Sequence, residues 1–329
     1  MVLYLGKKLI NVERNSKIMR ICKLLNAKYL YKYKTKTISR FRNYYDLLKD
    51  LLNIQKFRKA TINNNYKFSI MDMFLYLLEK NMKCPNVKFH NNSNENELLK
   101  ITINNVKIYW PKHFNAEGIP WLYNEVFKKW YKNPSSYSHP YIKYNKYSWI
   151  IDAGVCEGFF SMLCLKKGAK KVFAIEPISD LINALKMTFK NEIKASEYQL
   201  ITAALGEKNG FIGIEINNDT IWDSSCVPDN KKIEKVRMMR LDDICSKYNL
   251  RANGLIKMDI EGYEINALLG SGKLLREYKP NLAIAVYHKY ENAKLCREII
   301  LKANPTYKVV FRGMYGYFYP PRPYILFAF

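Results

Sequence analysis

The sequence predicts an α/β protein: a mostly parallel sheet with helices on both faces, preceded by a small helical N-terminal region. Three observations carry that prediction. From residue 149 onward, short apolar runs alternate with amphipathic stretches, the pattern of βαβ units. One apolar run ends in an Asp, passes through two glycines and enters a helical stretch, the strand–turn–helix junction of open α/β sheets. The composition is that of a globular chain, with 48% hydrophobic and 25% charged residues over 329 positions. Only 14 Gly and 12 Pro exclude a collagen-like or low-complexity chain.

Taken in order, the first ninety residues read as helical. Apolar residues fall at helical spacing over 45–54, and again at Ile70, Met71, Phe74, Leu75, Leu77 and Leu78. The basic stretch 31–36 reads as a solvated connector, and the polar segment 90–97 as a linker. This divides the chain into a basic region, 1–97, and a second domain, 98–329. Residues 101–108 read as a hairpin turning at Asn104 and Asn105. Strands are expected at 148–152, 171–176, 198–204, 254–259 and 281–286. Helices are expected at 158–167, 179–191 and near 262–270. Residues 307–311 and 324–329 read as two final strands around a Gly/Pro-rich turn.

Fifty-four basic residues against 29 acidic give a net charge of +25, and the excess sits at the front. Residues 1–100 hold 21 basic and 7 acidic side chains. One reading is a footprint for an anionic partner: nucleic acid, an acidic membrane face or a charged glycan. The other is compositional drift in a chain rich in Lys, Asn, Ile and Tyr, where Arg and Gly do not cluster with the aromatics. The seven cysteines include no CxxC pair, which argues against a disulfide framework and a zinc ribbon and for a reducing compartment. The start, MVLYLGKKLI, has too short an apolar run for a secretory signal. No run approaches the ~18 apolar residues of a membrane span. The expectation is a cytoplasmic protein whose only membrane contact would be peripheral.

The strongest local signal is "WIIDAGVCEGFFS", from Trp149 to Ser161. In an open α/β sheet the ligand sits at the carboxyl ends of the strands, and the first turn is its usual cradle. Glycines allow close backbone approach, and the following helix start favours a negative group. The dinucleotide fingerprint does not fit, because Cys156 and Phe159 stand where it needs glycines. No Gly-Lys-Ser/Thr follows to make a P-loop. The next strand ends in Glu176-Pro177, 24 positions after Asp152, where an acid can accept hydrogen bonds from both ribose hydroxyls of a nucleoside. The competing reading is a surface Glu capping the helix after Pro177.

Four blocks, "IIDAGVCEGFFS", "VFAIEP", "ITAALGEKNG" and "RLDDI…GLIKMDIEGYEINALLGS", with Tyr287-His288-Lys289 after the next strand, resemble the successive blocks of the FkbM family of S-adenosylmethionine-dependent methyltransferases. The resemblance covers about residues 100–329. It implies a Rossmann-like class I methyltransferase fold: a seven-stranded, mostly parallel sheet with a reversed C-terminal hairpin. It implies S-adenosyl-L-methionine as cofactor. Asp152 and the turn Gly154-Val155-Cys156-Glu157-Gly158 would hold its methionine end, Glu176 with Pro177 its ribose, and Ala203 and Ala204 would lie near the adenine. Family members commonly have Ala-Asn where this chain has Val155-Cys156, so contacts there would rest on backbone.

Asp259 ends the fourth strand of this series, and Glu261 lies where the chain enters a helix. They read as groups for substrate positioning, proton acceptance or a shared divalent metal, or as helix N-terminal acids. No metal is expected, because the sequence assures no third carboxylate or His nearby. His288 follows the fifth strand at the same sheet edge and is a candidate base for a hydroxyl proton. The loop 217–225 offers Trp222, Ser224 and Ser225 as candidate sugar-recognition groups. The segment from Gly118 to His139 is a candidate lid. The expected function is an O-methyltransferase acting on a carbohydrate, sugar nucleotide or lipid-linked glycan. The alternatives are an RNA or protein methyltransferase, and a non-catalytic binding protein that keeps the fold.

Overall fold

The computed structural model describes residues 2–5, 8–11, 66, 68–69, 71–72, 75–76, 85–90, 97–216, 233–317 and 321–329. The chain divides into two compact units, Met1–Asn63 and Asn64–Phe329. In the first, strands β1 (Val2–Leu5) and β2 (Lys8–Asn11) pair antiparallel. The helical expectation over 45–54 and the connector 31–36 lie outside the described residues, as do residues 91–96 of the expected linker.

The second unit opens, where described, with helical residues at Met71, Asp72, Leu75 and Tyr76. Leu75 is buried, as the helical spacing expects of a core face, whereas Met71 of the same spacing is exposed; Tyr76, outside that spacing, is buried as well. Strands β3 (Val87–His90), β4 (Leu98–Ile103) and β5 (Val106–Pro111) form an antiparallel sheet. The β4–β5 turn is the expected Asn104-Asn105 pair, with Asn104 in the left-handed region that Asn tolerates. Helix α1 (Ile119–Phe127) follows.

The main sheet holds β6 (Trp149–Ala153), β7 (Val172–Glu176), β8 (Tyr198–Thr202), β12 (Gly254–Met258), β13 (Asn281–Ala285), β14 (Val309–Tyr315) and β15 (Arg322–Ala328). Their order is β14-β15-β13-β12-β6-β7-β8. The first five of these in chain order run parallel to one another, and β15 runs antiparallel between β13 and β14. This is the seven-stranded, reversed-hairpin sheet expected. A short sheet of β9 (Ala204–Leu205), β10 (Gly210–Glu215) and β11 (Ile233–Met239) accompanies it. The β10–β11 hairpin was not anticipated from the apolar pattern.

Central parallel strands are covered on both faces and therefore read as continuous apolar runs. All five residues of β6, β7 and β12 are buried. Alternation sends Ile150, Val172, Ala174 and Leu255 into one core, and Ile151, Phe173, Ile175 and Ile256 into the other. Each of these side chains larger than Ala174 contributes about 1.5–3 kcal/mol on burial. The faces are covered by α2 (Phe159–Lys166), α3 (Ser179–Thr188), α4 (Lys190–Lys194), α5 (Leu241–Lys247), α6 (Glu264–Leu269), α7 (Gly272–Glu277) and α8 (Asn292–Ala303). No described helix is long and apolar enough to cross a membrane.

Strand order reverses between β6 and β12: β7 and β8 lie to one side, β13 and β15 to the other. Ligands bind at such a switch point, outside the carboxyl ends of the strands.

Candidate active site

A cavity of about 440 Å³ opens at that switch point. The turn after β6 forms its floor. Backbone bonds from Gly154 to Ile175 and from Asp259 to Ala153 carry the ladder into the turn. Gly154 has φ +72, and a Cβ there would lie 1.7 Å from the Asp259 carbonyl oxygen. The close approach of the two strand ends, rather than a ligand, dictates this glycine. Cys156 also adopts a left-handed φ of 51, the conformation that Asn tolerates better than Cys.

Gly154, Val155, Cys156, Glu176, Pro177, Ala203 and Ala204 all line the cavity. Glu176 is buried at the end of β7; its Oε2 accepts from the Cys156 amide at 3.0 Å and its Oε1 from the Ile178 amide at 3.1 Å. Burial pushes its carboxyl up to about 7 against these two bonds. Burial does the same for Glu157, another lining residue. The Cys156 thiol is held well above its usual range, first by burial and then by these two acids.

Asp152 and Gly158 do not line the cavity. Asp152 is fully buried behind the turn; its Oδ2 accepts from Ser161 Oγ at 2.7 Å, and its Oδ1 lies 3.2 Å from Lys257 Nζ. Lys257 was not anticipated. It faces Asp152 across the β6–β12 register and donates to Gly154 O at 2.6 Å. Burial alone would lower its pKa; Asp152 first, then Asp259, outweigh that and raise it. A lysine in the otherwise apolar "GLIKM" is the signal that such a partner exists. Gly158 caps α2 at φ +88, where a Cβ would press on Phe189.

At the other end, Asp259 and Glu261 line the cavity, and His288 stands beside them without lining it. His288 Nε2 lies 3.4 Å from Asp259 Oδ1 and 3.3 Å from Glu261 Oε2, while Nδ1 lies 3.2 Å from Glu264 Oε1. Burial alone would lower the imidazole pKa; the surrounding carboxylates hold it well above its ordinary value. Burial raises Glu261. Tyr137 arrives from the segment before β6 and donates to Asp259 Oδ2 at 2.6 Å. Neither Tyr137 nor Glu264 was singled out in the sequence. Trp222, Ser224 and Ser225 lie outside the described residues.

The proposed lid forms a wall. Trp121, Leu122, Glu125 and Val126 of α1 line the cavity. Asn133 Nδ2 donates to Asn124 O and Glu125 O, and Arg312 donates to Trp130 O, to Asn133 O at 3.0 Å and to Ser138 O at 3.1 Å. Opposite lies a fan of tyrosines: Tyr287 and Tyr315 stack at 4.9 Å, and Tyr324 meets both edge-on.

Residues 152–304 match the model of the methyltransferase FkbM domain, a stretch that holds the β6 turn, Glu176, Asp259, Glu261 and His288. Over that stretch the chain is similar to the FkbM methyltransferase domain. Solved structures give more distant likenesses. A methyltransferase FkbM from Methylobacillus flagellatus KT is 22% identical, with a TM-score of 0.42; the match covers 65% of this chain and 59% of that one. An rRNA methylase from Streptococcus thermophilus is 13% identical over 56% of this chain and 86% of its own, with a TM-score of 0.34. A Streptococcus mutans protein solved in complex with SAH is 14% identical over 56% and 88%, with a TM-score of 0.31. A comparison with curated proteins gives no match.

Proposed function

We propose that the FkbM domain is an S-adenosylmethionine-dependent O-methyltransferase whose acceptor is a hydroxyl of a neutral carbohydrate, free or lipid-linked. The cofactor half fits the residues present. A buried carboxylate, Glu176, faces the cavity beside the left-handed turn, and the small side chains of Ala203 and Ala204 leave a slot bounded by Ile178, Leu181 and Ile214. Glu176 would take the ribose, the turn amides the methionine end, and the slot the adenine. Asp152 would act from behind, fixing Lys257 and the first turn of α2. Bound S-adenosylmethionine supplies a methyl group on a sulfonium. A hydroxyl that receives it must lose a proton, and Asp259 and Glu261 are the cavity-lining carboxylates placed to accept it. His288 would position these carboxylates, since its ring nitrogens are turned to them and to Glu264.

The observation that carries the acceptor class is the charge of the cavity. Its described lining holds Glu125, Glu157, Glu176, Asp259 and Glu261 against one cation, Lys257, which is committed to Asp152 and Gly154. Without a bound cation, the ionised acids of such a lining disfavour phosphate, and with it RNA and sugar nucleotides. The tyrosine wall offers flat faces on which a sugar ring can lie. The cytoplasmic placement rests on the cysteine pattern.

The test is transfer of labelled methyl from S-adenosylmethionine into fractionated extract, with Glu176→Ala as control. Label is expected in the carbohydrate or lipid-linked fraction and absent with the variant. Label in RNA or protein would overturn the acceptor class and give the basic front a purpose.

A further inference from the structure

Four side chains from three segments meet at the acceptor end of the cavity. Asp259 follows β12, Glu261 lies two residues on, Glu264 opens α6, and His288 follows β13. One ligand atom from each of Asp259, Glu264 and His288 lies within 4.8 Å of the others. The His288 side chain is only 10% exposed, yet neither ring nitrogen completes a hydrogen bond, and nor does Asp259 Oδ1. Buried polar atoms are ordinarily satisfied, so a fully oriented imidazole without hydrogen-bond geometry needs another partner.

The distances name one. Oxygen and nitrogen atoms that share a divalent ion at about 2.1 Å lie roughly 3–3.5 Å apart. His288 Nε2 stands 3.4 Å from Asp259 Oδ1 and 3.3 Å from Glu261 Oε2. Its other nitrogen faces Glu264 Oε1 at 3.2 Å, the arrangement by which a carboxylate orients a ligating imidazole. Glu264 is itself fixed. Its Oε1 accepts from the amides of Ile260 and Gly262, and its Oε2 from Asn292 Nδ2 at 3.2 Å.

We propose that His288 Nε2, Asp259 and Glu261 hold a first-row divalent cation, with Glu264 orienting the imidazole. Imidazole with two carboxylates selects manganese, iron or zinc over magnesium and calcium, which prefer all-oxygen sites. Asp259 and Glu261 line the cavity, so a cation between them would meet the acceptor hydroxyl and favour its deprotonated form. That use rests on the proposed function; the binding does not.

The experiment is therefore a binding measurement. The full chain, cleared of metal by a chelator, is titrated with Mn²⁺ alone, and free Mn²⁺ is followed by electron paramagnetic resonance. One Mn²⁺ per chain is expected. His288→Gln should weaken binding at least 100-fold, and Glu264→Gln about 10–100-fold. Calorimetry with S-adenosylhomocysteine on the same samples shows that each variant is folded. Glu261→Gln, at a partly exposed position, replaces any variant that is not; about tenfold weaker Mn²⁺ binding is expected of it, and unchanged binding would overturn the site. Wild type that binds no Mn²⁺, or binds it as tightly after His288→Gln, overturns it equally. Failure of the wild type to bind S-adenosylhomocysteine would instead count against the cofactor reading.

Discussion

Glu176 is the residue on which the cofactor assignment turns. As a carboxylate it accepts hydrogen bonds; protonated, it loses acceptor capacity. Burial raises its pKa to about 7, so it is mostly ionised at pH 8 and mostly protonated at pH 6. Affinity for S-adenosylhomocysteine should therefore fall about tenfold from pH 8 to pH 6. Calorimetry across that range checks it, and Glu176→Gln should flatten the profile. Lys257 makes a stability prediction at the same scale. Lys257→Met leaves Asp152 as an uncompensated charge in the core, which costs about 3–5 kcal/mol. Denaturant unfolding should show that loss, with part of it recovered when Asp152→Asn is added.

At the scale of elements, the reversed hairpin β14–β15 does more than close the sheet. It carries Tyr315 and Tyr324 into the cavity wall, where they meet Tyr287. The proposed cofactor half is built by other elements, the β6 turn and the end of β7. Tyr315→Ala should therefore raise KM for the acceptor roughly tenfold, from the loss of about 0.5–1.5 kcal/mol of ring contact plus buried area. Affinity for S-adenosylhomocysteine should stay within twofold. Equal loss of both would remove the tyrosine wall from acceptor recognition.

For the whole molecule, the second unit begins at Asn64, ahead of the 97/98 division expected from the polar segment. Tyr66 donates to Tyr290 O at 3.0 Å and accepts from the Lys294 amide; Tyr76 donates to Gly316 O; Asp72 accepts from the Gly313 amide. β3 pairs with β4 across the expected boundary. Removal of residues 1–63 should leave unfolding and S-adenosylhomocysteine binding of the remainder near those of the full chain. Removal of 1–97 should lower Tm by many degrees, because it strips the buried Tyr66, Leu75 and Tyr76, each contributing about 1.5–3 kcal/mol. Equal stability of the two truncations would favour the boundary at the polar segment.

The α/β alternation, the glycine turn after β6 and the acid at the end of β7 are legible in the order of residues alone. These signals are local: an apolar run, a left-handed turn and a strand-end carboxylate each span a few neighbouring residues. The sequence also showed that Asp259, Glu261 and His288 end neighbouring stretches of the same series. What those groups face depends on how the strands and helices pack. Strand order, which no local pattern encodes, puts Lys257 beside Asp152 and takes Asp152 out of the cavity. Tyr137 reaches Asp259 from 122 positions away. Glu264, which sequence position alone makes an ordinary helix-start acid, becomes the carboxylate behind His288 because α6 and the end of β13 pack together. Burial then sets the chemistry, since a carboxylate or imidazole shifts its proton affinity only when water is removed and its neighbours are fixed.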